Sequence, residues 1–219
     1  MTPEEFEAKC REQEDWAPGW EAIDSVFEKL YPGQEPAHYA TNLVSRAMFG
    51  GSQYLDGFSI YDSPHGYKHL VTYGMTELYA DKEALGGEWN KWGYEITIKL
   101  AETGNQQCMW AIDMLANLAR YTYTQKRFFE PFQYVAGDGT SICRDRDSLI
   151  TALLIVPDTE AEPVDTIYGR TEFLQLVGIT ERELAALKAD HAQAKRLYDA
   201  LRAENPCLVT DLGRVKSYL

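Results

Sequence analysis

Between residues 69 and 100 the chain alternates apolar and polar positions in the manner of a sheet. Trp92, Tyr94, Ile96, Ile98 and Leu100 interleave with Gly93, Glu95, Thr97 and Lys99. Successive side chains on a strand point to opposite faces, so this spacing predicts a strand with one apolar and one water-facing side. Residues 55–61 and 67–75 read as two strands before it, and Gly86-Gly87 supplies a turn. Residues 150–156 are apolar at every position except Thr151, as expected of a central strand covered on both faces. Strands are also predicted at 164–168, 172–177 and 207–212.

Elsewhere the period is helical. Pro18-Gly19 opens a helix that carries Trp20, Ile23, Phe27 and Leu30 on one face, and Pro32-Gly33 ends it. A second helix is expected over 37–49, with Leu43, Val44, Ala47 and Met48 inward, stopping at Gly50-Gly51. Over 107–121 the residues Trp110, Met114, Leu118 and Tyr121 recur at helical spacing. Ala111, Leu115 and Thr122 widen that face and predict a well-buried helix. Thr180-Glu-Arg-Glu183 is a capping box, and Leu184, Leu187, Ala194, Leu197 and Leu201 continue from it as the stripe of one last helix. The elements together predict an α+β fold, a single domain with a mixed central β-sheet covered by helices.

A chain of 219 residues can bury a core that needs no covalent staples. Residues 1–15 read as a charged N-terminal extension with a short helix, and 16–219 as the domain. The charge of −13 disfavours nucleic acid and favours a basic partner, although acidity also simply keeps a protein soluble. The four cysteines (Cys10, Cys108, Cys143, Cys207) lack metal-finger spacing and read as isolated reduced thiols. The acidic start is unlike a signal peptide, and no apolar run reaches the ~18 residues of a membrane span, so a cytoplasmic location is expected.

No catalytic constellation stands out, and no cofactor or resident metal is expected. His65 and His69 could chelate one ion if they lay on a helix. On a strand they would be about 13 Å apart, too far for one metal. With Asp62 they define the alternative function, a metal-dependent hydrolase. His38 falls at a predicted helix start with no evident partner, and His191 reads as a packed boundary residue. Gly137-Asp-Gly139 superficially suggests a phosphate loop but lacks the following Lys-Ser/Thr, and reads as a hairpin turn. What is unusual is the number of aromatics, 14 Tyr and five Trp, residue types favoured at protein interfaces. A purely structural subunit of an oligomer is a third reading.

A succession of segments resembles the N-terminal domain of the Suppressor of fused family. It comprises Ala17-Pro-Gly-Trp-Glu-Ala-Ile23, Leu30-Tyr-Pro32, Phe49-Gly-Gly51, Leu55-Asp56, His69 through Tyr79, Gly93 through Leu100, Leu118-Ala-Arg-Tyr121, Phe173 through Gly178 and Val209-Thr-Asp211. The order is colinear over residues 16–212. The resemblance implies a noncatalytic protein-binding domain. In animals the family restrains Gli-type transcription factors by gripping an extended peptide between two domains. A tyrosine and an aspartate that help hold that peptide match Tyr121 and Asp138. The chain ends where the family's first domain ends, carries Lys68 where animal members have Trp, and has a longer loop between Tyr121 and Asp138. Single-domain bacterial relatives are proposed as immunity factors that cap toxins, which makes an immunity protein neutralising a toxin the specific form of the expectation. The acidic charge would suit blocking a basic nuclease.

Overall fold

The computed structural model describes residues 1–41 and 55–219. Helix α1 (Pro3–Glu12) starts from a capping box: the Thr2 hydroxyl accepts the Glu5 amide at 3.2 Å and the Glu5 carboxylate accepts the Thr2 nitrogen at 2.7 Å. Its Phe6 is buried against Trp16 and Tyr168, so the charged lead-in is packed on the domain. Helix α2 (Pro18–Leu30) has the predicted bounds and buries Ile23 and Phe27, with Trp20 and Leu30 at its margins.

The strands are β1 (Ala37–Ala40), β2 (Gly57–Asp62), β3 (Lys68–Tyr73), β4 (Trp89–Leu100), β5 (Tyr134–Val135), β6 (Ile150–Pro157), β7 (Val164–Thr166) and β8 (Gly169–Thr180). They form one sheet in the order β1-β2-β3-β4-β8-β6-β5, with β7 pairing the start of β8. Among the described strands β4 and β8 pair parallel and the other strand pairs are antiparallel, which makes the sheet mixed as expected. Helix α3 (Met109–Gln125) covers one face and packs Ala111, Leu115 and Ala119 on Ile96, Ile98, Leu153 and Leu176. The opposite face lies under α2 at one side and under α4 (Glu181–Ala189) and α5 (Gln193–Glu204) at the other.

Four local expectations change. Residues 37–40 are an edge strand rather than a helix start, because pairing with β2 supplies backbone partners that override a weak local preference. The rest of that predicted helix, with Leu43, Val44, Ala47 and Met48, lies outside the described residues. The final helix is two: Asp190 closes α4, its carboxylate accepts the Ala192 amide at 3.0 Å, and His191 is exposed in the bend rather than packed. Residues 207–212 make a single parallel bridge, Leu100 to Thr210, instead of a strand. The connection from β5 to β6 spans 136–149, so Gly137-Asp-Gly139 is not a tight hairpin.

The largest departure concerns β4. Its alternation is as read, but the polar side is not wet. Glu95, Thr97 and Lys99 are 0% exposed. Helix α2 and the segment around Cys207–Thr210 lie over this face, and the Gln175 amide there donates to the Cys207 and Leu208 carbonyls, each at 3.0 Å. Buried polar groups persist only when hydrogen-bonded, and this seam meets that condition through side chains from several elements.

Candidate functional site

An open cleft of about 1390 Å³ runs along the outer flank of α3. Trp110, Met114, Leu118 and Tyr121, three or four residues apart, form one wall, and β5 with the loop to β6 forms the other. The sequence reads this stripe of four, together with Ala111, Leu115 and Thr122, as one wide buried face. In the structure all four are partly or largely exposed, while Ala111, Leu115, Ala119 and Thr122 sink into the core. Small residues let the helix backbone approach the sheet closely, which turns the bulky stripe outward to the side. The signal was present as two apolar stripes on one helix, of which only one can face a single sheet.

Tyr121 is 40% exposed and stacks on Phe129, with ring centroids 6.1 Å apart and planes 18° from parallel. Asp138 also lines the cleft. Its carboxylate accepts the Thr140 hydroxyl at 2.6 Å and the Thr140 amide at 3.0 Å. These bonds, with the nearby Arg144 cation, hold its acid below the usual carboxylate range, so it is an ionised acceptor in a fixed orientation. The Trp110 indole N–H in the cleft wall is buried and, among the described residues, has no acceptor.

Gly137 makes this arrangement possible. A Cβ built there would lie 2.2 Å from the Thr151 carbonyl oxygen, so the turn carrying Asp138 presses directly on β6. Gly137→Ala is expected to push the turn off the strand, at a cost of about 1–3 kcal/mol, and to speed amide exchange at Val135 and Thr140. Wild-type exchange rates at both amides would show that the close approach is not needed.

The residues of the hydrolase alternative do not converge. His69 is wholly buried in β3, its Nδ1 2.8 Å from the Tyr31 hydroxyl and its Nε2 3.0 Å from Asp158. Asp62 pairs with Lys68 at the end of β2, and His65 is exposed in the turn between β2 and β3. His38, expected without a partner, lies 3.1 Å from the Ser59 hydroxyl. Among the described residues no group of three or more His, Cys, Asp or Glu is placed to hold a metal. All four cysteines are free thiols, and burial pushes Cys108 up to about 11.

His69 belongs instead to a polar cluster that sequence reading missed. Asp158 accepts Lys99 at 2.9 Å, the Thr97 hydroxyl at 2.5 Å, and the Glu160 and Ala161 amides at 2.8 and 2.9 Å. Burial alone would raise the Asp158 acid. Attraction to His69 and Lys99, with their hydrogen bonds, outweighs it and holds the carboxyl well below its ordinary range. Glu160 adds a second carboxylate 2.8 Å from Lys99 and accepts the Tyr67 hydroxyl. The His69, Lys99 and Asp158 side chains are wholly buried and only Glu160 reaches solvent, so the cluster organises this sheet face.

The fold is shared with known proteins. A family model described as Suppressor of fused protein (SUFU) matches residues 51–215. The Suppressor of fused homologues of Homo sapiens and Mus musculus are each 30% identical over 213 residues, covering 90% of this chain and 43% of theirs. The chain therefore spans less than half the length of these curated relatives. Among solved structures, the Sufu–Fu complex aligns with a TM-score of 0.77 at 23% identity, over 91% of this chain and 92% of that one. Drosophila Suppressor of Fused aligns with a TM-score of 0.77 at 23% identity, over 92% of this chain and 51% of that one. A SUFU homologue from Neisseria gonorrhoeae aligns with a TM-score of 0.59 at 16% identity, over 90% of this chain and 96% of that one. These structural likenesses show a shared fold.

Proposed function

The chain belongs to the Suppressor of fused family, and from that premise we propose that it is a noncatalytic domain that holds a protein partner in the cleft beside α3. Tyr121 and Asp138 are its contact residues in this reading. The observation that carries it is their meeting on one open cleft, the phenol half-exposed over an apolar wall and the carboxylate fixed at the opposite rim. A phenol contributes buried area and a hydrogen bond, and an oriented carboxylate selects for donors on the partner. The Sufu–Fu complex among the structural relatives supports a protein as the kind of ligand.

In its narrower form the partner is a toxin and the domain an immunity protein that caps it. Recognition by surface alone suits such a role, since neutralisation requires occupancy and no turnover. The test begins with a partner captured by cross-linking from native lysate and then purified. Tyr121→Ala is expected to weaken its binding about thirtyfold in titration calorimetry, as for an aromatic anchor at an interface centre. Equal affinity for wild type and for the double variant Tyr121→Ala, Asp138→Ala would remove this face from the account. For the narrower form, co-expression with the partner should relieve growth arrest, and the double variant should not.

A further inference from the structure

The whole-molecule charge favours a basic partner, but two cations, Lys126 and Arg127, stand together where α3 ends beside the cleft. Lys126 takes the left-handed conformation, φ 53°, and breaks the helix, which turns the chain so that Phe128 and Phe129 diverge. Phe129 packs under Tyr121 in the cleft wall, and its amide donates to the Tyr94 hydroxyl at 3.1 Å. Phe128 points the other way and is 57% exposed, tilted against Trp92 with ring centroids 5.3 Å apart.

The Lys126 ammonium sits 5.4 Å from the centroid of the Trp92 ring, and the Arg127 guanidinium beside it is exposed. Among the described residues neither cation has a carboxylate within ion-pair reach. In contrast, Lys91 on the far side of Trp92 lies 4.0 Å from Glu77, and Arg146 in the cleft wall pairs with Glu102. Lys126 over the partly buried Trp92, with exposed Arg127 and Phe128 beside it, thus adjoins in sequence the Phe129 that stacks with Tyr121 in the cleft wall. Aromatic residues and arginine are the side chains enriched at interface centres, and an arginine fork binds a carboxylate through two parallel hydrogen bonds.

We infer that this corner takes an acidic stretch of the partner polypeptide, with Lys126 and Arg127 binding its Asp or Glu carboxylates while an adjacent apolar side chain covers Phe128. The inference rests on the cleft being the partner face and adds the chemistry of the segment that leaves it. A polyphosphate chain is disfavoured, because the net negative charge of the molecule repels it beyond these few cations.

The probe is a pair of labelled synthetic peptides with one Phe/Leu pattern, the intervening positions being Asp/Glu in one and Lys in the other. The full chain is titrated by fluorescence anisotropy while the Trp92 indole resonance is followed. The acidic peptide should bind about tenfold or more tightly than its basic counterpart and shift the Trp92 signal. Charge reversal in Lys126→Glu, Arg127→Glu should abolish that preference. Lys126→Gly, which keeps the left-handed helix end while removing one charge, should weaken binding without altering the fold. Equal binding of both peptides, an unchanged preference in the charge-reversed protein, or equal affinity for short single-stranded DNA would overturn the inference. With the captured partner the two readings separate. If Tyr121→Ala weakens binding and the Lys126 and Arg127 variants do not, the acidic-segment inference fails alone. If Tyr121→Ala, Asp138→Ala has no effect, the cleft reading itself fails.

Discussion

Asp158→Ala is expected to destabilise the protein by about 3–5 kcal/mol, the range observed when one member of a buried ion pair is removed. The carboxylate accepts five hydrogen bonds, from His69, Thr97, Lys99 and two backbone amides. Its loss leaves the Lys99 ammonium at 0% exposure with Glu160 as its one remaining carboxylate. Urea denaturation would measure the loss, and a variant within about 1 kcal/mol of wild type would mean that water or rearrangement replaces the cluster. The same residue sets a pH dependence. Its folded-state acid lies below the unfolded value, so between the two the unfolded chain binds more protons. The stabilisation is therefore complete above the ordinary Asp range of about 4 and is lost as pH falls through the folded pKa. Glu160 and Glu183, both also lowered, act in the same direction, Glu183 through its pairing with Arg214. In Asp158→Asn the decline of the urea midpoint from about pH 5 down to about pH 2 should be shallower than in wild type. Superimposable slopes would assign the acid sensitivity to other groups.

Glu95→Ala should cost a similar amount for a different reason. This carboxylate is fully buried in β4 and organises the turn that ends β3, and among the described residues no cation is paired to it. It accepts the Gly74, Met75 and Thr76 amides at 3.1, 3.3 and 2.9 Å and the Thr72 and Thr76 hydroxyls at 2.7 and 2.6 Å. The hydroxyls can rotate to other partners, but the amides cannot. Three buried donors left empty at about 1–3 kcal/mol each put the loss at roughly 3–5 kcal/mol after relaxation. Glu95→Gln keeps one acceptor oxygen and should lose less. Equal stability of the alanine and glutamine variants would refute the role assigned to those amides. Burial raises the Glu95 acid despite these bonds. Its contribution is thus fully present below the unfolded Glu value and declines as pH rises through the folded one, opposite in sign to Asp158. The two residues bracket a pH interval of greatest stability rather than moving it together.

Much of the fold was legible along the chain. The α2 bounds, the Thr180–Glu183 capping box and the alternation in β4 each arise from interactions among residues a few positions apart. The site was legible only in part. Tyr121 and Asp138 were found by resemblance, since nothing local distinguishes one exposed tyrosine or one turn aspartate from another. Their sharing of a cleft depends on which part of the wide apolar face of α3 is buried, and periodicity marks both stripes as apolar without ranking them. Ala111 and Ala119 show the preference at work, small side chains drawing the helix onto the sheet.

By itself, then, the amino-acid sequence determined the element types, most of their positions and the mixed character of the sheet, because periodicity and end-capping are short-range properties. Only the tertiary structure decided that Ala37–Ala40 would be a strand, that the polar side of β4 would be dry, and that Asp158 would meet His69 and Lys99 from 89 and 59 residues away. Whether a polar side chain faces water is set by what another part of the chain lays over it. That cover is a long-range property, which no window along the sequence contains.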